Sequence, residues 1–367
     1  MKKSVLIQSG KIFFLVLSAF CFNLAGCTKP AEVSVVLPEP GISVEVYTPT
    51  PTQTATPTLT LTPTYNPLMT LTPTLPPSPT PDLFNDMYIE TLAARTYGGG
   101  VLEDLGKLPV STLGFNRRLF RYRSDGLDMF GFINIPKGEG PFPLIFMFHG
   151  YVDPKEYATL DYSIRYADAL AEEGYIVLHP NLRGYAPSPP AKNSLGTGDT
   201  IDALNLISLV RQQAGSDGLL KSADKEHIGL WGHSMGGGIV MRILVIDKEI
   251  DAAVLYASIH AQEEKNLTHF KEDGRGYEKP VASAEALVRL SPLIYLDKIT
   301  APVSIHHGEN DTVVPPEWSD FLCGYLKEIK KTVECQTYPG QLHTFQNSGD
   351  TLFIANTIIF FDEYLKK

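Results

Sequence analysis

His227-Ile228-Gly229-Leu230-Trp231 runs directly into Gly232-His233-Ser234-Met235-Gly236-Gly237-Gly238. The first five residues have the length and apolar character of a buried strand, and Met235–Asp247 has a helical pattern. The join between them is Gly-x-Ser-x-Gly, in the strand-to-helix setting that this pattern needs to be meaningful. A serine on so sharp a turn is held in a strained conformation, and side chains two residues away on either side would collide. Gly232 and Gly236 remove those collisions. Ser234 Oγ is then held clear of the sheet edge, while the first backbone N–H groups of the following helix face any oxyanion that develops there. Ser234 is therefore the candidate nucleophile, and Met235 N–H a candidate oxyanion donor.

A serine hydroxyl needs a base, and the base needs a carboxylate to orient it. Among nine histidines, His343 in Tyr338-Pro339-Gly340-Gln341-Leu342-His343 follows the last expected strand. Asp311 in His307-Gly308-Glu309-Asn310-Asp311 follows the preceding one, with Glu309 as the rival acid. The chain order Ser, Asp, His suits a doubly wound sheet. The second oxyanion donor is expected from Phe148-His149-Gly150-Tyr151, where the turn presents the Tyr151 N–H. Arg183 is read as structural, paired with a carboxylate under the site, and Tyr185 as a pocket edge. Adjacent His306 and His307 point to opposite faces of a strand and read as packing residues. No accompanying Cys, Asp or Glu cluster suggests a metal, and the chemistry calls for no cofactor.

Outward from the elbow, strand-length apolar runs alternate with helical patterns. Leu119–Arg123 and Met129–Ile135 flank Ser124-Asp125-Gly126 as an antiparallel hairpin. Further strands are expected at Leu144–Phe148, Tyr175–Leu178, Ala252–Tyr256, Val303–His306 and Val333–Thr337. Helices are expected at Leu160–Glu173, Asp199–Gln213, Glu317–Lys330 and Thr351–Tyr364. The core strands are continuously apolar, which predicts an α/β fold with a mostly parallel sheet covered on both faces. Ser258–Leu296 interrupts this alternation, polar at first and then helical. It is expected to form a small cap between the sixth and seventh core strands.

These motifs resemble those of α/β-hydrolases, in particular the catalytic domain of the prolyl oligopeptidase family and dienelactone-hydrolase-like esterases. The resemblance rests on Arg183-Gly184-Tyr185, Gly232–Gly237, Ser291-Pro292 before a Pro302-led strand, Gly308-Glu309-Asn310-Asp311, and Tyr338-Pro339 before His343. It covers residues 115 to 367. It implies a serine hydrolase that acts through a Ser234-His343-Asp311 triad and an acyl-enzyme. Two departures stand out: a Thr/Pro segment replaces the propeller domain of prolyl oligopeptidases, and His233 and Met235 flank the serine. The His149-Gly150-Tyr151 turn also resembles acetyl xylan esterases, but their glutamine after the nucleophile is replaced by Met235. Carboxylic esters of small to medium substrates are the first expectation, and short peptides the second. A non-catalytic binding module is the remote alternative, because such a module would be expected to have lost a triad member.

The N-terminal part is of a different kind. Lys2, Lys3 and Lys11 precede the uncharged apolar run Ile12–Phe22, which ends in Leu24-Ala25-Gly26-Cys27. This run is too short to span a bilayer comfortably, and its end resembles a bacterial lipoprotein signal, implying a signal peptide at 1–26 and a lipidated Cys27. From Thr48 to Pro81, 34 residues include thirteen Thr, ten Pro and no charge. Residues 27–82 are thus expected to be an extended tether, the Pro-rich part alone reaching on the order of 100 Å at about 3 Å per residue. The catalytic domain is assigned to 83–367, and lipidation would put it outside the cytoplasm, anchored at the cell envelope. Those 285 residues carry 27 basic and 37 acidic side chains, the whole of the net charge of −10. That balance argues against nucleic acid as a partner. Cys323 and Cys335 are either bridged or two buried thiols, since an exported domain permits a disulfide.

Overall fold

The computed structural model describes residues 82–110, 112–161, 163–271 and 282–366. The expected signal, Cys27 and the tether lie outside these residues, apart from Asp82. A single nine-stranded sheet has the order β1-β2-β3-β5-β4-β6-β7-β8-β9. Its strands are β1 Glu103–Leu108, β2 Phe115–Ser124, β3 Leu127–Pro136, β4 Phe142–Phe148, β5 Ile176–Pro180, β6 Ala223–His233, β7 Ala252–Tyr256, β8 Val303–Gly308 and β9 Val333–Tyr338. β1, β2 and β3 pair antiparallel, β3 pairs antiparallel with β5, and every pairing from β5 through β9 is parallel.

The apolar runs form parallel strands because both faces of the sheet are covered. On β4, Leu144, Phe146 and Phe148 join one core cluster, while Ile145 and Met147 join the other. The same alternation divides Ala253 and Leu255 from Ala252, Val254 and Tyr256 on β7. The first cluster is closed by α3 (Thr197–Gln213), α4 (Met235–Ile246) and α7 (Pro316–Glu328). The second is closed by α2 (Ile164–Glu172) and α8 (Asn347–Leu365). This is the α/β-hydrolase architecture, with β2 and β3 as the expected hairpin.

Two elements go beyond the sequence reading. Residues Ile89–Ala94 form α1, whose neighbour Tyr88 packs with Leu195, Ala286 and Leu290. β1 is a charged edge strand, Glu-Asp-Leu-Gly-Lys-Leu, with a register irregularity between Asp104 and Gly106. It is held by its ladder to β2 and by the pairs Arg121–Glu103 and Arg118–Asp104. Charges and a bulge are how an exposed edge avoids pairing with another chain, and they also erase the apolar alternation. Between β7 and β8 lie α5 (Glu263–His269), α6 (Ala284–Leu290) and a 3-10 segment Pro292–Lys298. The polar start of this cap is itself helical. Cys323 on α7 and Cys335 on β9 form a disulfide, with Cα atoms 6.3 Å apart. No helix among the described residues is long and apolar enough to cross a membrane.

Candidate active site

The site is assembled at the C-terminal ends of the parallel strands. Ser234 stands between β6 and α4 with φ 54° and ψ −115°, the strained turn expected of an exposed nucleophile. The surroundings hold it there. Ser234 N–H donates to Tyr256 O at 2.9 Å, and its carbonyl accepts from Gly237 N–H and Ile259 N–H. A Cβ on Gly236 would overlap the Phe148 carbonyl, and one on Gly232 would overlap the Gly236 carbonyl. Both collisions involve backbone, which cannot yield.

Asp311 and His343 come together across the β8 and β9 loops. His343 Nδ1–H donates to Asp311 Oδ2 at 2.7 Å. Asp311 Oδ1 accepts Val313 N–H at 2.8 Å and Val314 N–H at 3.0 Å. Burial pushes the Asp311 carboxyl up, but the hydrogen bonds from His307 and His343 and the His343 charge outweigh it and hold the group well below the usual carboxylate range. Glu309, the rival acid, instead accepts Gly340 N–H. His233, beside Ser234, ties the elbow to His343: its Nε2–H donates to His343 O at 2.9 Å, and the two rings are 4.6 Å apart. Burial, then the nearness of His343, keeps His233 neutral, well below the usual histidine value.

A cavity of about 620 Å³ opens over Ser234 and is shared by Met235, Tyr151 and Tyr185. Tyr185 therefore borders the pocket, as expected. Beneath the Tyr151 loop, His149 packs 4.8 Å from the Tyr157 ring and 4.6 Å from Tyr185, and burial lowers it to about 4. Arg183 grips Asp202 with Nε (2.6 Å) and Nη2 (3.0 Å), donates to Lys192 O, and also lines the cavity. Ile259 and Phe270 of the cap form one wall of the cavity.

The sequence reading missed the opposite wall, residues 190–196 and Asp199. Leu195 has φ 55° and packs with Tyr88, just before α1, and with Ala286 and Leu290 of α6. Asp199 is 1% exposed, and burial pushes its carboxyl up to about 7, helped by the nearby Asp202 charge and opposed by hydrogen bonds from Asn193 and the Arg183 N–H. The one signal was an aspartate at the start of the expected helix Asp199–Gln213. His307 was read as packing; it is buried, and it also reaches Asp311. Its Nε2 lies 3.0 Å from Asp311 Oδ2, because the Gly308–Asp311 turn folds the carboxylate back onto the end of β8. His306 does pack, between Ser304 Oγ and the Tyr338 hydroxyl.

Residues 129–362 match the dienelactone hydrolase family. The chain belongs to that family. By that match and the serine in its own elbow, this chain is a serine hydrolase. It is 26% identical over 247 residues to an uncharacterised peptidase of Bacillus subtilis, covering 61% of this chain and 35% of the relative. This family member thus spans about a third of the length of the first curated relatives it matches. Among solved structures, Pyrococcus horikoshii acylaminoacyl peptidase superposes with a TM-score of 0.58 at 23% identity, covering 70% of this chain and 43% of that one. Acetyl xylan esterase 1 of Thermoanaerobacterium superposes with a TM-score of 0.55 at 16% identity, covering 76% and 93%. At these identities the likeness is one of fold, shared by peptidases and esterases.

Proposed function

We propose that this chain is an envelope-tethered serine esterase acting through Ser234, His343 and Asp311. The observation that carries the reading is the His343 Nδ1–H to Asp311 Oδ2 bond beside a strained Ser234 that opens into a cavity. With Nδ1–H committed to the carboxylate, His343 keeps Nε2 free as the base. Ser234 Oγ attacks the ester carbonyl while Nε2 takes its proton. The tetrahedral oxyanion is met by the N–H groups of Tyr151 and Met235. The imidazolium returns the proton to the leaving alcohol, and water resolves the acyl-enzyme by the same steps in reverse. Asp311 stays ionised throughout and steadies the imidazolium.

Esters are favoured over peptides because an amide leaving group demands stronger acid catalysis and more substrate binding. The pocket wall of Leu195, Met235, Ile259 and Phe270 suits an apolar acyl group of modest size. The peptidase reading is kept because three curated relatives at 26–27% identity are named peptidases. A panel of p-nitrophenyl acyl esters against aminoacyl and X-Pro p-nitroanilides, with Ser234→Ala as control, decides between them. Turnover undiminished in Ser234→Ala rejects both.

The tether is proposed from sequence alone: lipid on Cys27 and a Thr/Pro spacer through residue 82 would hold the domain outside the cytoplasm. Incorporation of labelled fatty acid that survives Cys27→Ala rejects it.

A further inference from the structure

The triad reading uses one imidazole on Asp311, yet the carboxylate has two. We infer that His307 is a positioning residue for the hydrolysis, holding Asp311 in place through Nε2–H while Ser319 fixes the His307 tautomer. This rests on the reading of Ser234, His343 and Asp311 as the triad.

The hydrogen positions follow from the partners. His307 Nε2 lies 3.0 Å from Asp311 Oδ2 and 3.1 Å from the Val314 carbonyl, both acceptors, so Nε2 carries the hydrogen. Nδ1 is then the lone-pair nitrogen, and the Ser319 hydroxyl on α7 donates to it at 2.6 Å. His307 is 2% exposed and Ser319 is 6% exposed, so water cannot easily replace either contact. Asp311 Oδ2 thus accepts two imidazole N–H groups and Oδ1 two backbone N–H groups, which fixes the plane of the carboxylate. The titratable groups facing Asp311 are His307 from β8, His343 from the loop after β9 and, farther off, His233 at the end of β6. α7 contributes the Ser319 hydroxyl.

The His307 N–H draws off part of the Asp311 charge that would otherwise act on His343. Removing it does two things. The carboxylate loses an anchor, so turnover falls. Its remaining charge acts on His343 alone, so the imidazolium forms at higher pH. A buried histidine that merely fills space would change stability and leave the pH profile where it was.

The experiment uses the full chain and p-nitrophenyl acetate, with kcat, KM and the acid limb of kcat/KM measured for His307→Leu, His307→Gln and Ser319→Ala. Melting curves check that each variant folds. Ser234→Ala and His343→Ala run alongside: if they keep turnover, the triad reading itself fails, independently of His307. With the triad intact, His307→Leu should lose about tenfold to a hundredfold in kcat with KM nearly unchanged. Its acid limb should move up by about half a pH unit. His307→Gln, whose amide can present an N–H to Asp311, should recover most of the loss. Ser319→Ala should show a smaller change in the same directions. A folded His307→Leu enzyme with unchanged kcat and acid limb overturns the inference, as does equal impairment of the Leu and Gln variants with the limb unmoved. If His307→Leu does not fold, an unmoved limb in Ser319→Ala overturns it.

Discussion

Two buried aspartates border the same site and behave in opposite ways. Asp311, behind His343, is held well below the usual carboxylate range, whereas Asp199, in the pocket wall, is pushed up to about 7. Burial raises both. The difference lies in what reaches the oxygens. Asp311 accepts two backbone N–H groups and two imidazole N–H groups. Asp199 accepts the Arg183 N–H and the Asn193 amide, and it shares Arg183 with a second carboxylate, Asp202. Desolvation alone therefore does not decide the charge of a buried acid; the number of donors and the sign of the neighbours decide whether it prevails. The His343 side of the site keeps a negative charge, and the cavity wall holds a carboxyl pushed up to about 7.

The largest test of this contrast is Asp311→Asn. It leaves the carbonyl acceptor but turns an N–H toward His343, favouring the wrong tautomer, and should cost about 10⁴-fold in kcat. Ester hydrolysis measured against Ser234→Ala checks it. On the same side, Gly236→Ala forces a methyl into the Phe148 carbonyl and should cost more than about a hundredfold in labelling by a fluorophosphonate probe, because the turn must move. On the substrate side, Phe270→Ala should raise KM for bulky acyl esters by about threefold to tenfold while sparing acetyl esters, since it removes only part of an apolar wall.

The smallest effect lies in stability against pH, and there the two aspartates should part in sign. An unfolded aspartate ionises near its ordinary value of 3.8, whereas folded Asp199 keeps its proton to about 7. Between those values the folded state binds the extra proton, so stability falls as pH rises and the deficit is complete above 7. Asp311 runs the other way: its contribution is present above the ordinary value and is lost as pH drops below it. The melting temperature of Asp199→Asn should therefore lack the wild-type decline between about pH 4 and 7, a matter of a few degrees. A decline as steep in the variant as in the wild type would assign the titration elsewhere.

How much of this was readable from sequence varies with the kind of residue. The elbow was legible because its glycines answer to local backbone geometry, and the core strands because burial on both faces leaves continuous apolar runs. β1 was not, since Glu103 and Asp104 serve an exposed edge and hide the strand pattern. The wall at 190–196 was not, because Leu195 acquires its place only through packing with Tyr88 and with Ala286 and Leu290 of the cap, far away in the chain. His307 illustrates a different limit. Opposite-face alternation correctly separated it from His306, but what waits on each face depends on the turn at Gly308–Asp311, and a two-residue period carries no information about that.

The hydrogen bond from His233 to the His343 carbonyl joins chain positions 110 residues apart, and the cavity draws on residues from Tyr151 to Phe270. The residues of the candidate site therefore come from widely separated parts of the chain. During refolding, secondary structure and the α3–α4 packing can form from shorter-range contacts, whereas turnover must wait for the longest loops to close. Hydrolysis of a chromogenic ester would then serve as a clock for the final step of folding, lagging behind the recovery of helical signal in the same tube.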